Sequence, residues 1–325
     1  MKKIFMLLTL LVTMMVSSIC CAQEVKEADY YKLKMMELVQ EIKSTAVSVN
    51  PNFGLILNGG INIYVADKYV QDGESKVNSF LQSVDGVLLE GLNFGYEFKD
   101  DKKTPDKVRK DIFTRLALPV QAGVPILNID YCENLRNRSM ATVMARKDNV
   151  VNFSSDRNLT TIPVAELHPN DVNSLAEVNN FIAVFNPQKY DVKGMYLSAL
   201  QRSNYDLLII DAFYHGELLT AEDIAKLKVK PNGKRRLVYS YLSTGEAEDY
   251  RYYWKSEYKK NPPAWLEEAN ENWEGNYKVE YWHPEWKAIL FQGKDSYLNK
   301  LLACGYDGAF LDVIDSFYYF EAKED

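Results

Sequence analysis

The chain has 325 residues, 47% of them hydrophobic and 26% charged, with a formal net charge of −7. That length suits one large α/β domain or two ordinary ones. The acidic balance argues against nucleic acid as a partner, and no stretch beyond residue 22 is apolar over the roughly 20 residues that a membrane-spanning helix needs.

Residues 1–22 carry Lys2 and Lys3, an apolar run over 4–16 and then small residues. This order predicts a secretory signal peptide cleaved after Ala22, with the mature protein secreted or periplasmic. Lipoprotein anchoring through Cys20 or Cys21 is the alternative. The remaining chain, 23–325, is expected to form a single domain, and without Lys2 and Lys3 it holds 36 basic against 45 acidic residues, a net charge of −9. Such a balance is compatible with a cationic substrate. Cys132 and Cys304 each lie in or beside an apolar element, which predicts two buried free thiols. His168, His215 and His283 are far apart, no Cys/His metal spacing is present, and no cofactor motif occurs.

From residue 31 onward the chain alternates. Residues 31–49 predict a helix with Leu33, Met36, Val39, Ile42 and Ala46 on one face. A strand over 53–58 turns at Gly59-Gly60. A helix over 74–83 leads into a strand over 84–90. A helix over 104–118, opened by Thr104-Pro105, precedes strands at 124–130 and 150–154. Residues 156–180 are polar and irregular. Strands then follow at 181–185, 205–211, 236–243 and 305–312, with helices at 194–201, at 220–228 behind a Thr220/Asp223 capping box, and at 295–303. Residues 255–293 form one long segment rich in Trp and Tyr. Eight strands, mostly followed by helices, predict a parallel sheet closed as a (β/α)8 barrel.

Three of the strands share a form. Val84-Asp-Gly-Val-Leu-Leu-Glu90, Tyr205-Asp-Leu-Leu-Ile-Ile-Asp211 and Tyr306-Asp-Gly-Ala-Phe-Leu-Asp312 each have an Asp at the entrance, four Gly or apolar residues, and an acid at the exit. The apolar run fits a strand covered on both faces, and the exit acid lies where barrels place their active sites. The strand exits together gather Asn58, Glu90, Asp130 with Tyr131, Asp211, Glu246 with Glu248, and Asp312 with Asp315. Crowded carboxylates raise some pKa values, as general-acid catalysis requires. Arg251, a metal or a substrate amine would compensate their charge. Aromatic residues such as Trp273 and Trp282 stand beside these acids in the sequence, a combination that suits a carbohydrate site, although the same rings could pack under the long segment.

The stretch Tyr239-Ser-Tyr-Leu-Ser-Thr-Gly-Glu246-Ala-Glu248-Asp-Tyr-Arg251-Tyr-Tyr-Trp254 resembles the most recognisable motif of glycoside hydrolase family 114, the endo-α-1,4-polygalactosaminidase-like proteins. The segments from Trp273 to Trp286 and from Gly305 to Asp315 resemble the next two. The resemblance implies a TIM barrel that cleaves a galactosamine-containing polysaccharide, and Asp312 and Glu90 as the catalytic carboxylates. Asp312 would be the nucleophile or electrostatic stabiliser, and Glu90 the general acid/base. Asp211, Glu246, Glu248, Arg251, Asp315, Asn58, Asp130, Tyr131, Trp273 and Trp282 would bind substrate. In the family, the helix, the Asn-ending strand and the Glu-ending strand follow the Asp312 segment. Here their counterparts lie at 31–90, so the chain looks circularly permuted, with 156–180 joining the family's ends. Two other classes fit the same acids: a non-catalytic carbohydrate-binding barrel, and a hydrolase that uses a metal held by the carboxylates.

Overall fold

A computed structural model of the chain describes residues 29–324 apart from 69 and 188. The expected signal peptide at 1–22 lies outside the described residues. In chain order, the strands are β1 (Gly54–Asn58), β2 (Gly86–Glu90), β3 (Ile126–Tyr131), β4 (Val151–Ser155), β5 (Phe181–Val184), β6 (Leu207–Ile210), β7 (Phe213–Tyr214), β8 (Glu217–Leu218), β9 (Leu237–Ser243), β10 (Glu246–Glu248), β11 (Leu266–Ala269), β12 (Asn276–Val279) and β13 (Gly308–Asp312). The helices are α1 (Tyr30–Val49), α2 (Gly73–Leu81), α3 (Asp106–Arg115), α4 (Ala117–Gln121), α5 (Leu135–Lys147), α6 (Lys193–Gln201), α7 (Ala221–Leu227), α8 (Pro284–Lys287), α9 (Tyr297–Cys304) and α10 (Phe317–Glu324).

Eight strands form one all-parallel sheet in the order β4-β3-β2-β1-β13-β9-β6-β5. The first and last strands pair, with Gly54 opposite Gly308 and Leu57 opposite Leu311. The sheet can therefore curl through a seam that joins the two ends of the described chain. Its outer strands also meet: the Phe153 ring of β4 lies 5.9 Å from Phe181 of β5. The result is a nearly closed (β/α)8 barrel, as the alternation of elements predicts. Strand residues on both faces of the sheet, such as Leu55, Leu57, Val87, Ile209 and Phe310, are buried throughout.

The shared entrance Asp of the three matching strands has a structural task. Asp85 accepts the Leu55 backbone N–H at 2.7 Å, Asp307 accepts that of Val238 at 2.9 Å, and Asp206 accepts that of Asn179 at 3.0 Å. Each thereby pins the start of a neighbouring segment. Each also meets a cation: Lys43 for Asp85, Lys228 and Arg235 for Asp307, Lys230 for Asp206. Beneath them Arg236 is fully buried and donates to the carbonyls of Leu227, Ser203, Gln201 and Val229 at 2.7–3.0 Å, holding the ends of α6 and α7. Arg236→Met leaves these acceptors unpaired, and thermal denaturation should show a loss of about 3 kcal/mol or more.

Three expectations are refined. The helix expected over 104–118 is two helices, α3 and α4, divided at Leu116, whose backbone leaves helical geometry. Residues 156–180 hold only the 3-10 turn Leu175–Glu177, so no helix covers the β4–β5 gap. The long aromatic segment folds on itself: β11 and β12 join β10 in a small antiparallel sheet, followed by α8. Cys132 and Cys304 are free and buried, as expected.

Candidate active site

Three adjacent strands, β2, β1 and β13, end side by side in Glu90, Asn58 and Asp312. Each is followed at once by a residue in the left-handed region: Gly91 at φ 70°, Gly59 at 66° and Val313 at 58°. Glycine adopts this turn without steric cost, but a β-branched valine is strained there. Such strain persists where the surroundings over-determine the backbone, and it clusters at functional sites. Here it aims the Val313 N–H at Asp312 Oδ1, 2.9 Å away.

The Asn58 amide joins the two acids. Its Nδ2 donates to Glu90 Oε1 and to Asp312 Oδ1, both at 2.8 Å. The two accepting oxygens therefore lie no more than twice 2.8 Å, or 5.6 Å, apart. Tyr131, at the end of β3, donates its hydroxyl to Glu90 Oε2. Burial and then the Glu90 charge hold that phenol well above its usual range. Asp312 is pushed up to about 7, first by desolvation and then by the Glu90 charge, with Asn58 and the Val313 N–H opposing. Among the described ion pairs, none places a Lys or Arg on Glu90 or Asp312. The other amide atom, Asn58 Oδ1, is buried without a partner among the described residues; a bound ligand would satisfy it.

Leu88 and Leu89 precede Glu90 in β2. In the strand those leucines are buried while Glu90 is exposed at the exit. The enclosed carboxyl belongs to Asp312.

The remaining acids are neutralised in groups. Asp211 accepts from Arg251 Nη1 at 2.8 Å, and Glu248 accepts from Arg251 Nε and from the Tyr250 hydroxyl. Burial works against the Arg251 charge, but Tyr297, Glu248 and Asp211 outweigh it and raise its pKa. Its guanidinium lies 5.2–5.7 Å from the ring centres of Phe213, Tyr241, Tyr250 and Tyr297, an aromatic cage closed on a cation. Glu246 is buried under Lys278, Asn270 and Asn276. Lys278 has no signature in the sequence; it arrives because β12 pairs with β10. Asp315 is held above its usual range by desolvation, with Glu246 and Glu90 adding to the shift and Lys278 opposing it. Among the described residues no group of three or more His, Cys, Asp or Glu is arranged to hold a metal ion.

Two expected binding residues are engaged elsewhere. Asp130 is fully buried and accepts the backbone N–H groups of Asn93 and Phe94, and the Asn93 amide, at 2.8–2.9 Å. It anchors the loop after β2 instead of facing the mouth. Trp282 packs against Tyr31, Tyr281 and Phe320 at 4.7–5.2 Å, in the seam between α1 and α10. Trp265 and Trp286 are fully buried, and only Trp273 of the four is well exposed, at 55%. Trp282→Ala should therefore lower stability by about 2 kcal/mol, while Trp273→Ala should stay within about 0.5 kcal/mol; melting curves check both.

Most glycosidases act through a pair of carboxyl groups. Residues 179–325 match glycoside-hydrolase family GH114. The GH114 match takes in β5 through α10, with Asp211, Glu246, Glu248, Arg251 and Asp312; Asn58 and Glu90 lie outside it. It supports glycoside hydrolysis as the general class of chemistry. The chain is also similar to the uncharacterized protein MJ1477 of Methanocaldococcus jannaschii, 44% identical over 133 residues, 40% of this chain and 36% of that one. An uncharacterized protein of Thermotoga maritima is 49% identical over 80 residues, 25% of this chain and 24% of that one. Another, of Deinococcus radiodurans, is 36% identical over 121 residues, 37% of each. The chain thus spans little more than a third of the length of these relatives, or less.

Proposed function

We propose that the protein is a secreted glycoside hydrolase that cleaves an α-linked amino-sugar polysaccharide of the polygalactosamine type, with Glu90 and Asp312 as its catalytic pair. One observation carries the reading: a single amide, Asn58, bonds both carboxyls and holds them close. Retaining glycosidases have carboxyl groups about 5–5.5 Å apart and inverting ones about 6.5–9.5 Å. The short spacing favours retention by double displacement. Asp312 attacks the anomeric carbon, the glycosidic C–O bond breaks, and Glu90 gives its proton to the leaving oxygen. Glu90 then takes a proton from the water that releases the sugar. The raised pKa of Asp312 favours a second assignment, in which Asp312 is the proton donor and Glu90 the nucleophile. Asp315, three residues after Asp312, suits the ammonium of an amino sugar, whereas Asp211 is already paired with Arg251. We read the order of the elements as a circular permutation, because β1 and β2 complete the barrel beside β13 while the family match covers only 179–325.

The test is incubation with partially deacetylated α-1,4-galactosaminogalactan and mass analysis of the products. A ladder of hexosamine oligomers, undiminished by EDTA, is the expected result. Loss of the ladder in EDTA would indicate metal-dependent hydrolysis. Binding without cleavage would indicate a non-catalytic barrel.

A further inference from the structure

We propose that Phe98 is a sugar-stacking platform on the Glu90 side of the cleft, an aromatic subsite for the polymer chain beyond the cleavage point; this rests on the polysaccharide reading above. Phe98 lies in the loop between β2 and α3, eight residues after Glu90. It is 80% exposed, more than any aromatic ring the long Trp-rich segment presents. So open a ring buries little apolar area and contributes little to folding, and its surface is free for a ligand.

The backbone beneath it is strained and firmly held. Glu97 and Phe98 are consecutive non-glycine residues at φ 52° and 56°, and Asp101 follows at 60°. Each such residue costs on the order of 1–3 kcal/mol unless the surroundings compensate. The surroundings are dense. The Gly95 and Tyr96 N–H groups both reach the Lys102 carbonyl, at 2.9 and 3.2 Å, and Glu97 pairs with Lys102. Asp101 caps the start of α5 by accepting from the N–H groups of Glu133 and Asn134 and from the Asn137 amide. The Asp101 N–H in turn donates to the Tyr131 carbonyl at 3.0 Å. A loop tied at this many points presents its side chain in one place, which a binding subsite requires.

Its place is defined through Arg157. That guanidinium lies 4.2 Å from the centre of the Tyr131 ring and 5.8 Å from that of Phe98, and it pairs with Asp100 at 2.7 Å. Tyr131 donates to Glu90. Phe98 is thus linked to Glu90 through one guanidinium and one phenol. The flat face of a pyranose can stack on the open phenyl, and a protonated amino sugar adds attraction to the ring's negative face.

The experiment compares wild-type protein, Phe98→Ala and Phe98→Trp on partially deacetylated α-1,4-galactosaminogalactan, with melting curves alongside. The expected result for Phe98→Ala is a KM raised on the order of tenfold, a kcat within about twofold and an unchanged Tm; Phe98→Trp restores the KM. An unchanged KM in Phe98→Ala overturns the subsite while leaving the hydrolase reading intact. So does a lower Tm with a fall in kcat, the signature of a structural role. A wild-type protein that neither binds nor cleaves the polymer overturns both.

Discussion

Glu90→Gln and Asp312→Asn should each lower turnover of the polymer by about a thousandfold, since a positioned acid, base or nucleophile contributes on the order of 10²–10⁴. Both substitutions are nearly isosteric, and Asn58 still finds an acceptor oxygen at either position. Binding should therefore survive, and added azide should separate the roles. If Asp312 is the nucleophile, Glu90→Gln still forms a glycosyl-enzyme, and azide releases it as the α-glycosyl azide. In Asp312→Asn, azide attacks the substrate directly from the opposite face and gives the β-glycosyl azide. The reversed pattern would assign the proton donor to Asp312, as its raised pKa favours. An unchanged rate in both variants would reject the pair.

Asp312→Asn should also stabilise the protein at alkaline pH. The Asp312 carboxyl sits at about 7 in the folded protein against an ordinary 3.8. Between those values the folded chain keeps a proton that the unfolded chain has released, so stability falls as pH rises through this window. Below it both states are protonated, and the Asn variant gains nothing. Above it the native protein carries the full cost of an enclosed charge beside Glu90. Each pKa unit corresponds to 1.36 kcal/mol; with the partial exposure of the residue, a gain of about 2 kcal/mol at about pH 8 is expected, fading toward pH 4. Equal melting temperatures for the two proteins at alkaline pH would mean that Asp312 is already ionised at no cost. A stabilising loss of a group proposed to be catalytic would be the usual trade between stability and activity.

The repeated Asp-(apolar)4-acid strands made the barrel legible, because a buried parallel strand needs a continuous apolar run and little else. Their entrance Asp residues were legible as a pattern but not as a purpose: the clamp on the neighbouring strand appears only when the neighbour is known. Asp130 shows the commonest reason for a misplaced site residue. The strand runs one residue further than expected, to Tyr131. Since successive side chains alternate in direction, Tyr131 takes the exit position beside Glu90 and Asp130 turns to the loop behind it. Trp282 shows another: aromatic richness marks a site and a packing seam equally well, and only contacts with Tyr31 and Phe320 distinguish them. Lys278 and Phe98 carried no sequence signal, because one depends on antiparallel pairing within the long segment and the other on a left-handed loop.

The central claim is that Asn58 holds Glu90 and Asp312 at the spacing of a retaining pair. Proton NMR of the reducing ends, recorded as they first form from α-1,4-galactosamine oligomers and before they mutarotate, tests it most directly. The account predicts α-configured ends. β-Configured ends would mean inversion, and with it a water-wide gap between the carboxyls that the shared amide does not allow.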